Sequence, residues 1–259
     1  MSLNPAPLPA GRHSRGYLWA EIVIVLGLSL GQSAVYAVVR LLDKLTQGPL
    51  AAQTTRMNPV LNDRAYFDLT YQLLGIVFAL VPVVLVLFLL SHGGESAFRI
   101  LGFTFRKPAV DFGLGLSLAT LIGAGTLGVY AAGRAWGITT AIVPAALDSY
   151  WWTVPVLVLS GVRYAILEEV IVVGYLFHRL RELGWSVPGI IVASAVLRGT
   201  YHLYQGFGPF AGNVLMGLVF GYAYTKTKRV MPLVVAHAAL DIGGFVGFAL
   251  FGPAIGIGT

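Results

Sequence analysis

Apolar runs of about bilayer-crossing length alternate with short polar or basic links along the whole chain. A transmembrane helix needs ~20 mostly apolar residues. The runs extend from about Tyr17 to Leu42, Leu69 to Leu90, Val110 to Gly133, Trp151 to Phe177, Val187 to Tyr204, Phe210 to Tyr224 and Val230 to Phe251. This pattern predicts an all-α fold: a polytopic integral membrane helix bundle of about seven transmembrane helices, within a range of about six to eight. The first run is too long for a signal-peptide core and contains Glu21, so it reads as a retained helix. Pro82 predicts a kink in the second run. The Gly, Ala and Ser density of the third predicts close helix approach. Trp151 and Trp152 form an aromatic pair suited to the headgroup boundary.

Three regions follow. Residues 1–16 are Pro-rich and polar and read as a disordered tail. Residues 17–145 hold the first three helices and their loops. Residues 146–252 hold helices four to seven, where the polar residues within spans concentrate.

Composition agrees with the pattern. Apolar residues make up 57% of the chain and charged ones 11%, against roughly a quarter charged in soluble domains. Cysteine is absent, which excludes disulfides, thiol catalysis and thiolate metal sites. The net charge of +6 falls mainly in the linkers, so it reads as a topology signal and not as a nucleic-acid patch. Arg12, Arg15, Arg99, Arg106, Lys107, Arg179, Arg181, Lys226, Lys228 and Arg229 fall on one side of the expected bundle. Lys44, Arg56, Arg64 and Arg134 fall on the other. That bias predicts a multi-pass protein of the cell (plasma) membrane with a cytoplasmic N-terminus and an outer C-terminus. Membrane lipid is the expected partner, nucleic acid is not.

The chemistry lies where charge is most costly. Glu168 and Glu169 are adjacent inside the fourth run, and ionised groups in hydrocarbon need partners, water or a function. Arg198 and His202 are four apart on the fifth run, and His237 and Asp241 are four apart on the seventh, so each pair is expected to share a helix face. Arg198 is the first candidate counter-ion for the carboxylates and Arg163 the second. An Asp within reach of a His fixes its tautomer. His92 and His178, at linker ends, are expected to be solvated. The candidate catalytic residues are therefore Glu168, Glu169, His202, His237 and Asp241, with Arg198 in support, converging on one buried site that activates water. Counting from the helix ends leaves His237 nearer the cytoplasm than Glu168 and His202.

At these residues the sequence resembles the CPBP family of intramembrane proteases, also called the Abi or type II CAAX prenyl endopeptidase family. The resemblance covers about residues 150–245. It rests on Glu168-Glu169 followed by Gly174-Tyr175, on Tyr201-His202 with Gln205-Gly206, and on Pro232 with His237 and Asp241. It implies that Glu168 is the general base on a water. His202 and His237, with residue 241, would orient that water and stabilise the oxyanion, and an arginine would hold Glu169. The substrate implied is a membrane-associated peptide or protein, with lipidated C-termini in range. Three positions depart from the family's pattern. Val173 stands where Arg is usual, Arg198 where Phe is usual, and Asp241 where Asn is common. The two arginine departures suggest that the cation has changed helices, Arg198 replacing from the fifth span the charge missing from the fourth.

Zinc-dependent hydrolysis is the nearest alternative, since His202, His237, Glu168 and Asp241 are nitrogen and oxygen ligands of the right type. No His-Glu-x-x-His run is present and the donors lie on separate spans, which favours a cofactor-free glutamate mechanism. Two further classes stay open on sequence alone. One is a non-catalytic membrane immunity or scaffold protein of the same fold. The other is a proton-coupled transporter, although no internal repeat is apparent.

Overall fold

The computed structural model describes residues 14–91 and 94–252. Residues 1–13 of the expected tail, and His92, lie outside the described residues. The first helix opens at Arg15, inside the region expected as tail, where the Ser14 hydroxyl caps it by accepting the Tyr17 N–H at 3.2 Å.

The helices are α1 (Arg15–Gly27), α2 (Leu30–Gln47), α3 (Ala65–Ala79), α4 (Val81–Ser91), α5 (Ala97–Ile100), α6 (Pro108–Ala135), α7 (Thr153–Glu168), α8 (Leu176–Glu182), α9 (Val187–Thr200), α10 (Phe207–Thr227) and α11 (Met231–Phe251). A π-helical segment, Glu169–Tyr175, joins α7 to α8 without a break. Among the described residues these make rods in the order the sequence predicts: α1–α2, α3–α4, α6, α7–π–α8, α9, α10 and α11.

Ala65–Ser91, Pro108–Ala135 and Met231–Phe251 are each long and apolar enough to cross a membrane, and the bent pair α1–α2 adds a fourth. The fourth rod contains Arg163, Glu168 and Glu169, and α9 has only 14 residues. Only 17% of the most apolar stretch of Ala65–Ser91, and the same share of Pro108–Ala135, is buried inside the protein. Val77, Phe78, Val84, Leu121 and Leu127 face outward. Such a surface is costly in water and matched to hydrocarbon. The chain is an all-helical integral membrane protein.

Two rods are broken, and both breaks border the same cavity. α1 and α2 meet at 56°. The Ser29 hydroxyl donates to the Val25 carbonyl at 2.6 Å, a back-bond that bends helices. Gly31 is needed at this bend, because a Cβ there would lie 2.8 Å from the Leu26 carbonyl oxygen. The sequence showed a single long run here because nothing in its hydropathy marks the break. α3 and α4 are interrupted at Leu80, two residues before Pro82, whose ring supplies no N–H to the preceding turn. The Trp pair divides. Trp151 is exposed, whereas Trp152 is buried and stacks on Tyr150 at 5.0 Å.

The π segment is the centre of the bundle: Val170, Ile171, Val172, Val173 and Tyr175 are fully buried. Short π stretches inside helices favour functional sites. Here Ser194 of α9 donates to the Val172 carbonyl at 2.9 Å and ties the widened turn to its neighbour. On one side of the bundle, two three-residue strands, β1 (Thr54–Arg56) and β2 (Ala141–Val143), pair in parallel. They escape a reading by periodicity because each is too short to show alternation.

Two ion pairs fix the rods that carry the site. Arg229 donates to both carboxylate oxygens of Asp111, at 2.7 and 2.5 Å, and so ties the start of α11 to α6. Arg179 donates to both oxygens of Glu21, at 2.7 and 3.2 Å, and joins α8 to α1. Both members of the second pair are buried. These arginines, which the sequence presents as topology signals, are engaged within the chain. Arg179→Met alone would strand Glu21 in the core at a cost of about 3–5 kcal/mol. A lowered thermal midpoint in detergent is expected for this variant, with most of the loss recovered in Glu21→Leu/Arg179→Met.

Candidate active site

Glu168 is the last residue of α7 and Glu169 the first of the π segment, so the acidic pair sits where the helix widens. The two carboxylates have different surroundings. On Glu168, Oε2 accepts from the Tyr201 hydroxyl at 2.7 Å and from Arg198 Nη1 at 3.3 Å. No hydrogen bond is made to Oε1 among the described residues. On Glu169, Oε1 accepts from Arg198 Nη2 at 2.5 Å and from His237 Nδ1 at 2.7 Å. Glu169 and Arg198 are both 0% exposed. A single guanidinium thus bridges both carboxylates from α9. Its approach depends on small residues, since a Cβ on Gly217 of α10 would meet the Ala195 Cα at 2.7 Å and the Arg198 Cδ at 3.4 Å.

His202 lies beyond the end of the helix that carries Arg198. α9 ends at Thr200, the His202 N–H bonds to the Gly199 carbonyl at 3.0 Å, and a 3-10 turn, Leu203–Gln205, follows. The tightened backbone sends the Arg198 guanidinium to the acidic pair and leaves His202 on the cavity. The turn closes on Gly206, where φ is +110° and a Cβ would lie 2.6 Å from the Ile138 carbonyl oxygen. Only glycine fits there. The Gln205 side-chain amide lies 3.5 Å from His202 Nδ1. An amide N–H donated to Nδ1 leaves the ring proton on Nε2, and Nε2 is buried without a partner.

His237 stays on its helix, and its Nε2 lies 3.6 Å from Asp241 Oδ2 and 4.0 Å from Glu168 Oε2. The depth mismatch expected from counting does not separate it from the acidic pair. His178 lies 3.5 Å from Glu182, a partner the sequence reading did not give it.

A cavity of about 570 Å³ borders these groups. Glu168, His202, His237 and Asp241 line it, whereas Glu169 and Arg198 lie behind its wall. The opposite wall comes from the two broken rods, with Ser33, Tyr36 and Arg40 of α2 and Phe78 and Pro82 around the α3–α4 break. Both sequence-defined halves of the chain therefore build it. Tyr201 and Gln205 were not singled out by residue type. Each neighbours His202 in the sequence, but their contacts depend on α9 ending where it does.

Among the described residues no three His, Cys, Asp or Glu side chains are grouped to hold a metal ion, and His237 Nδ1 is engaged by Glu169.

The class that the fold and site define is an integral membrane helix bundle holding a buried acid–imidazole cluster beside a cavity. The comparison of families is more specific. Residues 150–243 match the family described as Rce1-like, type II CAAX prenyl endopeptidase, and this part of the chain is similar to that family. The match takes in the fourth rod through Asp241. No curated protein and no solved structure matches the chain.

Proposed function

We propose that the protein is an intramembrane endopeptidase that hydrolyses a peptide bond of a membrane-associated substrate, with Glu168 as the base and no metal. One observation carries this reading. Of the two adjacent carboxylates only Glu168 borders the cavity, and its hydrogen bonds all fall on Oε2, leaving Oε1 for a water.

Peptide hydrolysis needs a base, an oxyanion stabiliser and an acid for the leaving amine. Glu168 takes a proton from the water as its oxygen adds to the carbonyl carbon. The oxyanion is received by His202 Nε2–H, the unpartnered buried donor on the cavity. His237 presents Nε2 between Glu168 and Asp241, where it orients the water. Glu168 then returns its proton to the nitrogen, the C–N bond breaks, and a carboxylate and an amine leave. Glu169 and Arg198 are positioning residues, since they act on the site through Glu168 and His237. The matched family's printed name supports prenylated C-termini as the substrates to test first. A plasma-membrane location with the N-terminus in the cytoplasm belongs to the same proposal.

The test is cleavage of lipidated peptides by the purified protein in detergent, with products read by mass spectrometry. Wild type should release a fragment at one bond and Glu168→Ala should release none. Activity should survive dialysis against a chelator. Loss on chelation with rescue by zinc would replace the glutamate mechanism by a metal-dependent one.

A further inference from the structure

We infer that Arg163 is the specificity residue of the cavity, receiving the free C-terminal carboxylate of a bound peptide. This rests on the protease reading and adds to it the feature of the substrate that is recognised.

Arg163 lies on α7, five residues before Glu168, and lines the same cavity. Other buried or half-buried arginines are engaged: Arg179 has Glu21, Arg198 the acidic pair, Arg229 Asp111, and Arg134 the Ala51 and Thr139 carbonyls. Arg163 makes no ion pair among the described residues, and its Nε is buried without a hydrogen-bond partner. Asp241 shares the cavity and acts on Arg163 electrostatically, yet its ion-pair contact is to His237 and no carboxylate closes on Arg163. A cation without a close anion inside a membrane protein is costly and marks a ligand path. The sequence reading offered Arg163 as a second counter-ion for the acidic pair. That role is taken entirely by Arg198.

The Arg163 guanidinium lies 3.6 Å from the centre of the Tyr164 ring. Stacking of this kind fixes the plane of the group. It leaves the N–H edge for a planar, bidentate acceptor, and a carboxylate is that acceptor. Arg40, exposed on α2, lines the cavity from the facing wall and adds a second positive charge. Five residues of helix separate Arg163 from Glu168 by a rise of about 7.5 Å, so an anion held at Arg163 sits in the same cavity but apart from the bond attacked at Glu168.

The test uses the full chain in detergent and two versions of a farnesylated, dansyl-labelled decapeptide, one ending in the free acid and one in the carboxamide. Binding is read by fluorescence in the Glu168→Gln background, so that it does not depend on cleavage. The acid form should bind about 10- to 100-fold more tightly, as for a charge-assisted bidentate contact. Arg163→Gln should erase that difference, and Arg163→Lys should keep part of it. In the active protein Arg163→Gln should raise KM for the acid peptide with little change in kcat. Equal binding of acid and amide, no binding of either, or a preference that survives Arg163→Gln overturns the assignment. So does affinity that follows the anionic-phospholipid content of added micelles and not the peptide terminus, which would make the ligand a lipid phosphate. Discrimination with no cleavage of either peptide would keep Arg163 as an anion site and remove the protease reading.

Discussion

Glu168→Gln is expected to lower cleavage by about 10²–10⁴-fold, the usual contribution of a general base, while the bundle stays folded. Glutamine keeps the shape of the side chain, and its amide oxygen can still accept the Tyr201 hydroxyl that now lies 2.7 Å from Glu168 Oε2. Arg198 keeps its shorter contact, the one to Glu169. What the substitution removes is the capacity to take a proton from water. Glu169→Gln is not equivalent, although the residue is adjacent and chemically identical. It weakens the contacts to Arg198 and His237 together and leaves a buried guanidinium with one partner at 3.3 Å. That variant should lose stability along with activity. Single-turnover cleavage and thermal unfolding in one detergent separate the two cases. An unchanged midpoint with lost cleavage is expected for Glu168→Gln, and a lowered midpoint for Glu169→Gln. Wild-type cleavage by Glu168→Gln would leave the site without its base.

The sequence made most of the fold legible because the signals were long. Hydropathy over about twenty residues identifies a rod whatever its detailed geometry, and the order of rods follows from the chain. Three finer features were hidden for separate physical reasons. The break between α1 and α2 comes from Ser29 and Gly31, residues common in intact membrane helices. The π turn at Glu169 is fixed by contacts such as Ser194 with the Val172 carbonyl, made by a residue far away in sequence. The end of α9 before His202 depends on the turn closing at Gly206 against residues 138–139. In the site, the charges that stand inside apolar runs are brought together: Glu168, Glu169, Arg198, His237 and Asp241 are joined by contacts, and His202 borders the same cavity as Glu168. The family resemblance assigned different roles to Glu168 and Glu169, but residue type and spacing alone do not separate them, since which carboxylate borders the cavity is a matter of three-dimensional placement. Nor could the sequence show that Arg163 forms no close ion pair among the described residues, which depends on where every carboxylate ends.

Moving the arginine back to the fourth rod should restore much of what its removal destroys. Arg198→Phe alone places the family's usual residue on α9 and takes the only guanidinium from Glu168 and Glu169. Two buried carboxylates then keep only Tyr201 and His237 as close partners and lose their guanidinium, and a loss of about 3–5 kcal/mol in stability is expected, with cleavage falling in parallel. Val173→Arg alone forces a longer, charged side chain into a fully buried position while Arg198 still holds the acidic pair, and it too should destabilise. The double variant Val173→Arg/Arg198→Phe removes one charge and supplies another four residues from Glu169, within reach on the same helical segment. A phenylalanine at 198 meets an apolar neighbour in Phe220, whose ring centre lies 5.6 Å from the present guanidinium carbon. The two changes should be strongly non-additive, with the double variant more stable and more active than either single one, as coupling between contacting groups requires. Thermal midpoints and cleavage rates for the four proteins measure that coupling. If the double variant is no better than the sum of its parts, the α9 arginine is not a relocated counter-ion, and the residues at 173 and 198 serve separate ends.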